Sequence, residues 1–139
     1  MELPGPEGST FKGAKLFEGT ERELEIVWDP ENEAKKVVFD VRITGTAWKF
    51  ENGLKVGMTI KEVEKINGKP FKIAGFSWDY GGYANFEGGK LSAKVTIRFN
   101  PSTDEVPDYL MGDKQISSGD KKLRAVKPVV EEGITVFMR

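Results

Sequence analysis

The chain has 139 residues, 38% of them hydrophobic and 31% charged, which suits one domain with its own core and excludes a coiled coil, a collagen or a disordered chain. It contains no histidine and no cysteine, so imidazole or thiolate catalysis, disulfides, thiolate zinc sites and haem ligation by these side chains are all excluded. Its 21 basic and 22 acidic side chains leave a net charge of -1, without the bias expected of a nucleic-acid binder.

No apolar run approaches the roughly 20 residues needed to cross a bilayer, and the first residues carry no recognisable targeting signal. Residues 1–13, rich in proline, glycine and small polar groups, are expected to form a flexible N-terminal arm ahead of a single α+β domain at 14–139. Residues 23–28 have the β-branched pattern of a strand and lead into the turn signal Asp29-Pro30-Glu31-Asn32. In residues 36–43, Val37, Phe39, Val41 and Ile43 alternate against Val38, Asp40 and Arg42, which predicts the hairpin partner of 23–28. Residues 46–50 read as a short extended segment before a turn at Glu51-Asn52-Gly53.

The clearest element follows. Thr59 is placed to cap the amide of Glu62, and Glu62 to reach back to the Thr59 amide in a capping box. Ile60, Val63 and Ile66 form a narrow apolar stripe, with Lys61, Glu62, Glu64 and Lys65 facing mostly outward. Gly68 suits the left-handed end of a helix, and Pro70 discourages continuation. Such a short helix must bury its stripe on a sheet to persist.

Beyond Pro70 the period becomes extended. Phe71 and Ile73 precede Gly75, then Phe76, Trp78 and Tyr80 fall on one face of a short run interrupted by Gly81-Gly82. Tyr83–Phe86 begins another segment, and Glu87-Gly88-Gly89 reads as a hairpin turn. Residues 90–100 alternate over eleven positions and predict a long strand with one wet face. Residues 100–108 read as a loop, with Tyr109, Leu110 and Met111 as a small packed turn. Ser117 or Ser118 is placed to cap a second short helical piece through Arg124, anchored by Leu123. Residues 133–139 form a last strand candidate. The expected fold is therefore α+β: an antiparallel sheet with one short, well-capped helix and a second short helical piece.

The run Gly57-Met58-Thr59-Ile60-Lys61-Glu62-Val63-Glu64-Lys65-Ile66-Asn67-Gly68-Lys69-Pro70 resembles the SmpA/OmlA family of small outer-membrane lipoproteins, which share its Gly-Met-Thr, Glu-Val and Gly-x-Pro rhythm. That resemblance covers about residues 53–100 and implies helices on an antiparallel sheet, related to the repeat of β-lactamase inhibitory protein. Gly57, Thr59, Glu62, Val63, Gly68 and Pro70 match as helix start, packed face and helix stop, and none gains a catalytic role. The chain departs from the lipoproteins in having no lipid-attachment cysteine and in adding strands before the motif. The longer stretch from Trp48 to Gly89, above all Gly75-Phe76-Ser77-Trp78-Asp79-Tyr80-Gly81-Gly82, is similar to an uncharacterised family of bacterial exported or envelope proteins. It implies a periplasmic or outer-envelope location and carries no established activity.

Phe76, Trp78, Tyr80, Tyr83 and Phe86, flanked by Asp79 and Asn85, are the predicted recognition surface, because rings held on a fixed scaffold bury much area at small entropic cost. The competing reading has these rings filling the concave side of a twisted sheet. Gly81-Gly82 and Gly88-Gly89 lack the spacing and strand–loop–helix setting of a nucleotide site. Asp29-Pro30-Glu31-Asn32-Glu33 lacks the glycine and flanking helices of a calcium loop. Asp79, Glu87 and Asp104 are the carboxylates available for hydrolase chemistry, but nothing in their spacing fixes the paired separation such chemistry needs. Lys121, Lys122, Arg124 and Lys127 are the nearest approach to a basic patch and suit a solvated surface.

The expected function is thus a non-catalytic binding or structural module with a protein or peptide partner in the envelope, without cofactor, metal or nucleic acid. Alternatives are a weakly self-associating scaffold and a carboxylate-dependent hydrolase.

Overall fold

The computed structural model describes residues 1–139 except Lys36, Asp79, 92–94, 132–133 and 138–139; the side chains of Pro6, Glu33, Lys35 and 135–137 also lie outside the description. Helix α1 (Ile60–Asn67) forms where the capping code sits. The Glu62 amide donates to Thr59 Oγ1 at 3.3 Å and the Thr59 amide donates to Glu62 Oε1 at 3.2 Å. Gly68, in the left-handed region, closes the helix. Ile60 and Val63 are buried and Ile66 is half-buried, as the stripe requires.

The larger sheet contains β1 (Glu2–Pro4), β2 (Thr10–Leu16), β3 (Leu24–Trp28), β4 (Val38–Ile43), β7 (Val95–Thr96) and β11 (Ile134–Phe137), in the order β1-β2-β3-β4-β11-β7, with every pairing antiparallel. A three-stranded antiparallel sheet places β5 (Lys72–Ala74) between β6 (Ala84–Asn85) and β9 (Gln115–Ser117), while β8 (Phe99–Asn100) pairs with β10 (Val129–Val130). Helix α2 (Lys121–Ala125) completes a small α+β fold with antiparallel sheets.

The first thirteen residues, expected as a flexible arm, are built into the sheet. Strand β1 pairs with β2, and Leu3 is only 1% exposed. The sheet also curls strongly. Three strand spacings would separate β1 from β4 by about 14 Å in a flat sheet, yet Arg42 Nη1 of β4 donates to the Pro4 carbonyl of β1 at 2.7 Å. The bend passes Gly13, where a Cβ would lie 2.1 Å from the Ile26 carbonyl oxygen; only glycine admits that approach. The folded-over hairpin covers a face that carries charge. Glu25 is buried beneath it, 3.6 Å from both Lys15 and Arg42, its direct cross-strand neighbours. On the opposite face, Leu16, Leu24, Ile26 and Val41 stay exposed or half-buried.

The main core lies between α1, β5, β8, α2 and the β4–β11 part of the large sheet, centred on Phe71, Ile73, Ile97 and Phe99. Phe71 stacks on Phe99 at 5.9 Å and meets Phe86 at 5.2 Å. Buried Asn67 ties the helix end to the following loop: its Nδ2 donates to the Lys69 and Phe86 carbonyls, and its Oδ1 accepts from the Leu91 amide.

Three local expectations are corrected. Residues 46–50 form a turn and irregular chain, held by bonds from the Gly45 and Ala47 amides to Glu23 and Glu21. The strand expected over 90–100 divides among partners: residues 92–94 lie outside the described residues, β7 pairs with β11, Arg98 bridges to Tyr83, and β8 pairs with β10. Its alternation survives, with Leu91, Ile97 and Phe99 buried. The α2 cap is Asp120, whose Oδ1 accepts from the Lys122 and Leu123 amides. Ser118 is buried instead, accepting from the Phe71 amide and donating to Glu64, which also pairs with Arg124 at 3.1 Å.

Candidate aromatic recognition site

The site is a turn between β5 and β6, anchored on both flanks. The Phe76 amide donates to the Leu110 carbonyl and the Gly112 amide to the Phe76 carbonyl. On the other flank the Gly82 amide donates to Ala74 and the Phe99 amide to Gly82. Gly82 is required here: its φ is +80°, and a Cβ would lie 2.0 Å from the Phe99 carbonyl oxygen.

The predicted surface divides at this turn. Phe76 and Phe86, at 4% and 5% exposed, belong to the core and present no ring to solvent. Trp78 is half-buried, its indole N–H donating to the Gly75 carbonyl at 2.8 Å. Tyr80 is 40% exposed and meets Trp78 edge to face, with centroids 5.4 Å apart. Tyr83 is half-buried, and Asn85 is exposed with its Oδ1 accepting from the Glu87 amide. Asp79 lies outside the described residues. The expected extended run over 76–80 is broken by Ser77, which has φ +68°.

One site residue was not anticipated. Arg98 faces Tyr83 across the isolated antiparallel bridge, and its guanidinium carbon lies 5.4 Å from the ring centroid. Its Nε donates to the Gly81 carbonyl at 2.9 Å, and the Gly81 amide donates to Trp78 O. The guanidinium is therefore tied to the turn that carries Trp78 and Tyr80. In sequence Arg98 was one polar position of an alternating strand, and only its register opposite Tyr83 marks it.

The other candidates do not converge with this ridge. Glu87 makes an exposed ion pair with Lys72 at 3.6 Å, and Asp104 is exposed on the loop that follows β8. Among the basic residues near α2, Lys122 sits 4.7 Å over the Tyr109 ring and Arg124 pairs with Glu64. Asp29 is a turn residue whose carboxylate accepts from the Asn32 side chain and the Glu31 amide, bonds that hold its pKa below the usual value. An open pocket of about 500 Å³ lies between the loop at 102–107 and α2. Among the described residues no group of three or more carboxylates is placed to hold a metal ion, and no helix is long and apolar enough to cross a membrane. No protein family, curated protein or solved structure matches the chain.

Proposed function

We propose that this chain is a non-catalytic recognition module whose Trp78–Tyr80–Tyr83 ridge docks a protein or peptide partner. The observation that carries this reading is the edge-to-face contact of Trp78 with a Tyr80 that is 40% exposed, while the indole is tied to Gly75. A hydrogen-bonded indole and a ring packed on it lose little freedom on binding, so more of the apolar contact area is retained as affinity. On the resemblances of residues 48–89 and 57–70 alone, we also assign the module to the bacterial envelope.

The test is site-specific photo-crosslinking in cells of the source organism, with a benzophenone amino acid replacing Tyr80 and, as a control, the similarly exposed Tyr109. A discrete adduct is expected at position 80, absent at 109 and lost in Trp78→Ala. Equal labelling at the two positions, or labelling unaffected by Trp78→Ala, would refute the ridge as a docking surface.

A further inference from the structure

Arg98 differs from the other half-buried arginines among the described residues. Arg42 faces Glu25 and the Pro4 carbonyl, and Arg124 faces Glu64 and the Ser118 carbonyl. Arg98 has its Nε on Gly81 O and its planar group over Tyr83, but its two terminal nitrogens have no hydrogen-bond or ion-pair partner among the described residues. A guanidinium held this way is a preformed fork. Its orientation is set by the backbone bond and the ring, and its remaining donors match the spacing of a carboxylate. A half-buried cation also gains more from an incoming anion than a fully solvated one does.

Resting on the ridge reading, we propose that the partner is an acidic peptide segment: an aspartate or glutamate meets the Arg98 fork while a neighbouring apolar side chain packs on Trp78 and Tyr80. The bond from Arg98 to Gly81, and from Gly81 to Trp78, places fork and rings within one short stretch of peptide. A phosphate polymer fits poorly, since such ligands are held by several cations along a track. Lys114, whose stem lies beside Gly75, is engaged with the Tyr109 carbonyl and ring.

The experiment titrates isotope-labelled full-length protein with acetyl-Ala-Glu-Phe-Glu-Ala-amide and, separately, its Gln-for-Glu counterpart, following the Trp78 indole and Arg98 Nε–H signals by NMR. The acidic peptide is expected to bind about tenfold more tightly, one charge-assisted contact's worth. Arg98→Gln should abolish that preference, and Arg98→Lys, a point charge without the fork, should restore only part of it. The unchanged amide spectrum of the lysine variant guards against simple misfolding. Equal affinity for the two peptides overturns the role of Arg98 yet leaves the ridge standing. No response to either peptide up to millimolar concentration overturns the acidic-peptide assignment, and the ridge then stands or falls on the crosslink at position 80. Tighter binding of a short single-stranded DNA at the same signals overturns it in favour of a phosphate polymer.

Discussion

Replacing Asp40 with asparagine should stabilise the fold at neutral pH, by an amount that shrinks as the solution is acidified. Asp40 lies on the charged face of β4 beneath the folded-over hairpin, is 7% exposed, and has an Oδ1 without a hydrogen-bond partner among the described residues. Burial is the leading influence on its carboxyl and pushes the pKa from 3.8 up to about 6, against the opposing attraction of Arg42 and a bond from the Val41 amide. That difference corresponds to about 3 kcal/mol of preference for the neutral form. The native state holds this proton more tightly than the unfolded chain does. The protonated group's stability advantage is therefore complete below about pH 4 and is lost as pH rises through about 6. Asp40→Asn mimics the neutral form, so it should gain about 2–3 kcal/mol near pH 7 and almost nothing near pH 4. Urea unfolding followed by tryptophan fluorescence at a series of pH values measures both limits. The carboxylates Glu23, Asp29 and Asp120, whose pKa values are lowered by hydrogen bonds, act in the opposite direction but cancel between the two proteins. A variant no more stable than the parent at neutral pH, or a gain independent of pH, would refute the assignment of a buried ionised carboxylate.

Two further substitutions test the architecture. Gly13→Ala places a methyl group against the Ile26 carbonyl oxygen and Leu3 Cδ1, and should cost about 2 kcal/mol or more while the amides of β1 and β2 exchange faster than those of α1; unchanged protection of the hairpin would contradict the close approach. Asn67→Ala removes three hydrogen bonds and strands the buried Leu91 amide, so denaturant titration should show a loss of about 2–3 kcal/mol, and a loss under about 1 kcal/mol would mean that water replaces the side chain.

The sequence made legible those features whose determinants lie within a few residues of one another. Helix α1 is an example: cap, stripe and stop are local, and each forms as its residue types require. The β3–β4 hairpin likewise follows from two alternating runs and a turn. What could not be read depends on distant partners. Ser117, Ser118 and Asp120 are all competent caps, and the choice of Asp120 depends on Ser118 being drawn inward by Phe71 and Glu64. Asp40 and Arg42 alternate with apolar residues along β4, and nothing local announces that the hairpin of residues 2–4 folds over toward that face. Arg98 was hidden for the same reason, since Tyr83 lies fifteen positions earlier and becomes its neighbour only through strand pairing.

The aromatic segment shows how a single backbone angle can divide core from surface. In a regular strand Phe76, Trp78 and Tyr80 would share one face, so burying the first would draw in the other two. Ser77 breaks that relation at φ +68°, a conformation costing a non-glycine residue about 1–2 kcal/mol. Phe76 continues into the core with its amide and carbonyl bonded to Leu110 and Gly112, while the chain turns and leaves Tyr80 exposed. The local cost is offset by the buried Phe76 ring and by the backbone bonds on both flanks. The same bonds prevent the turn from relaxing the rings inward. A loop free to collapse would satisfy its aromatic surface internally; this one is held open by the packing that its own first residue supplies.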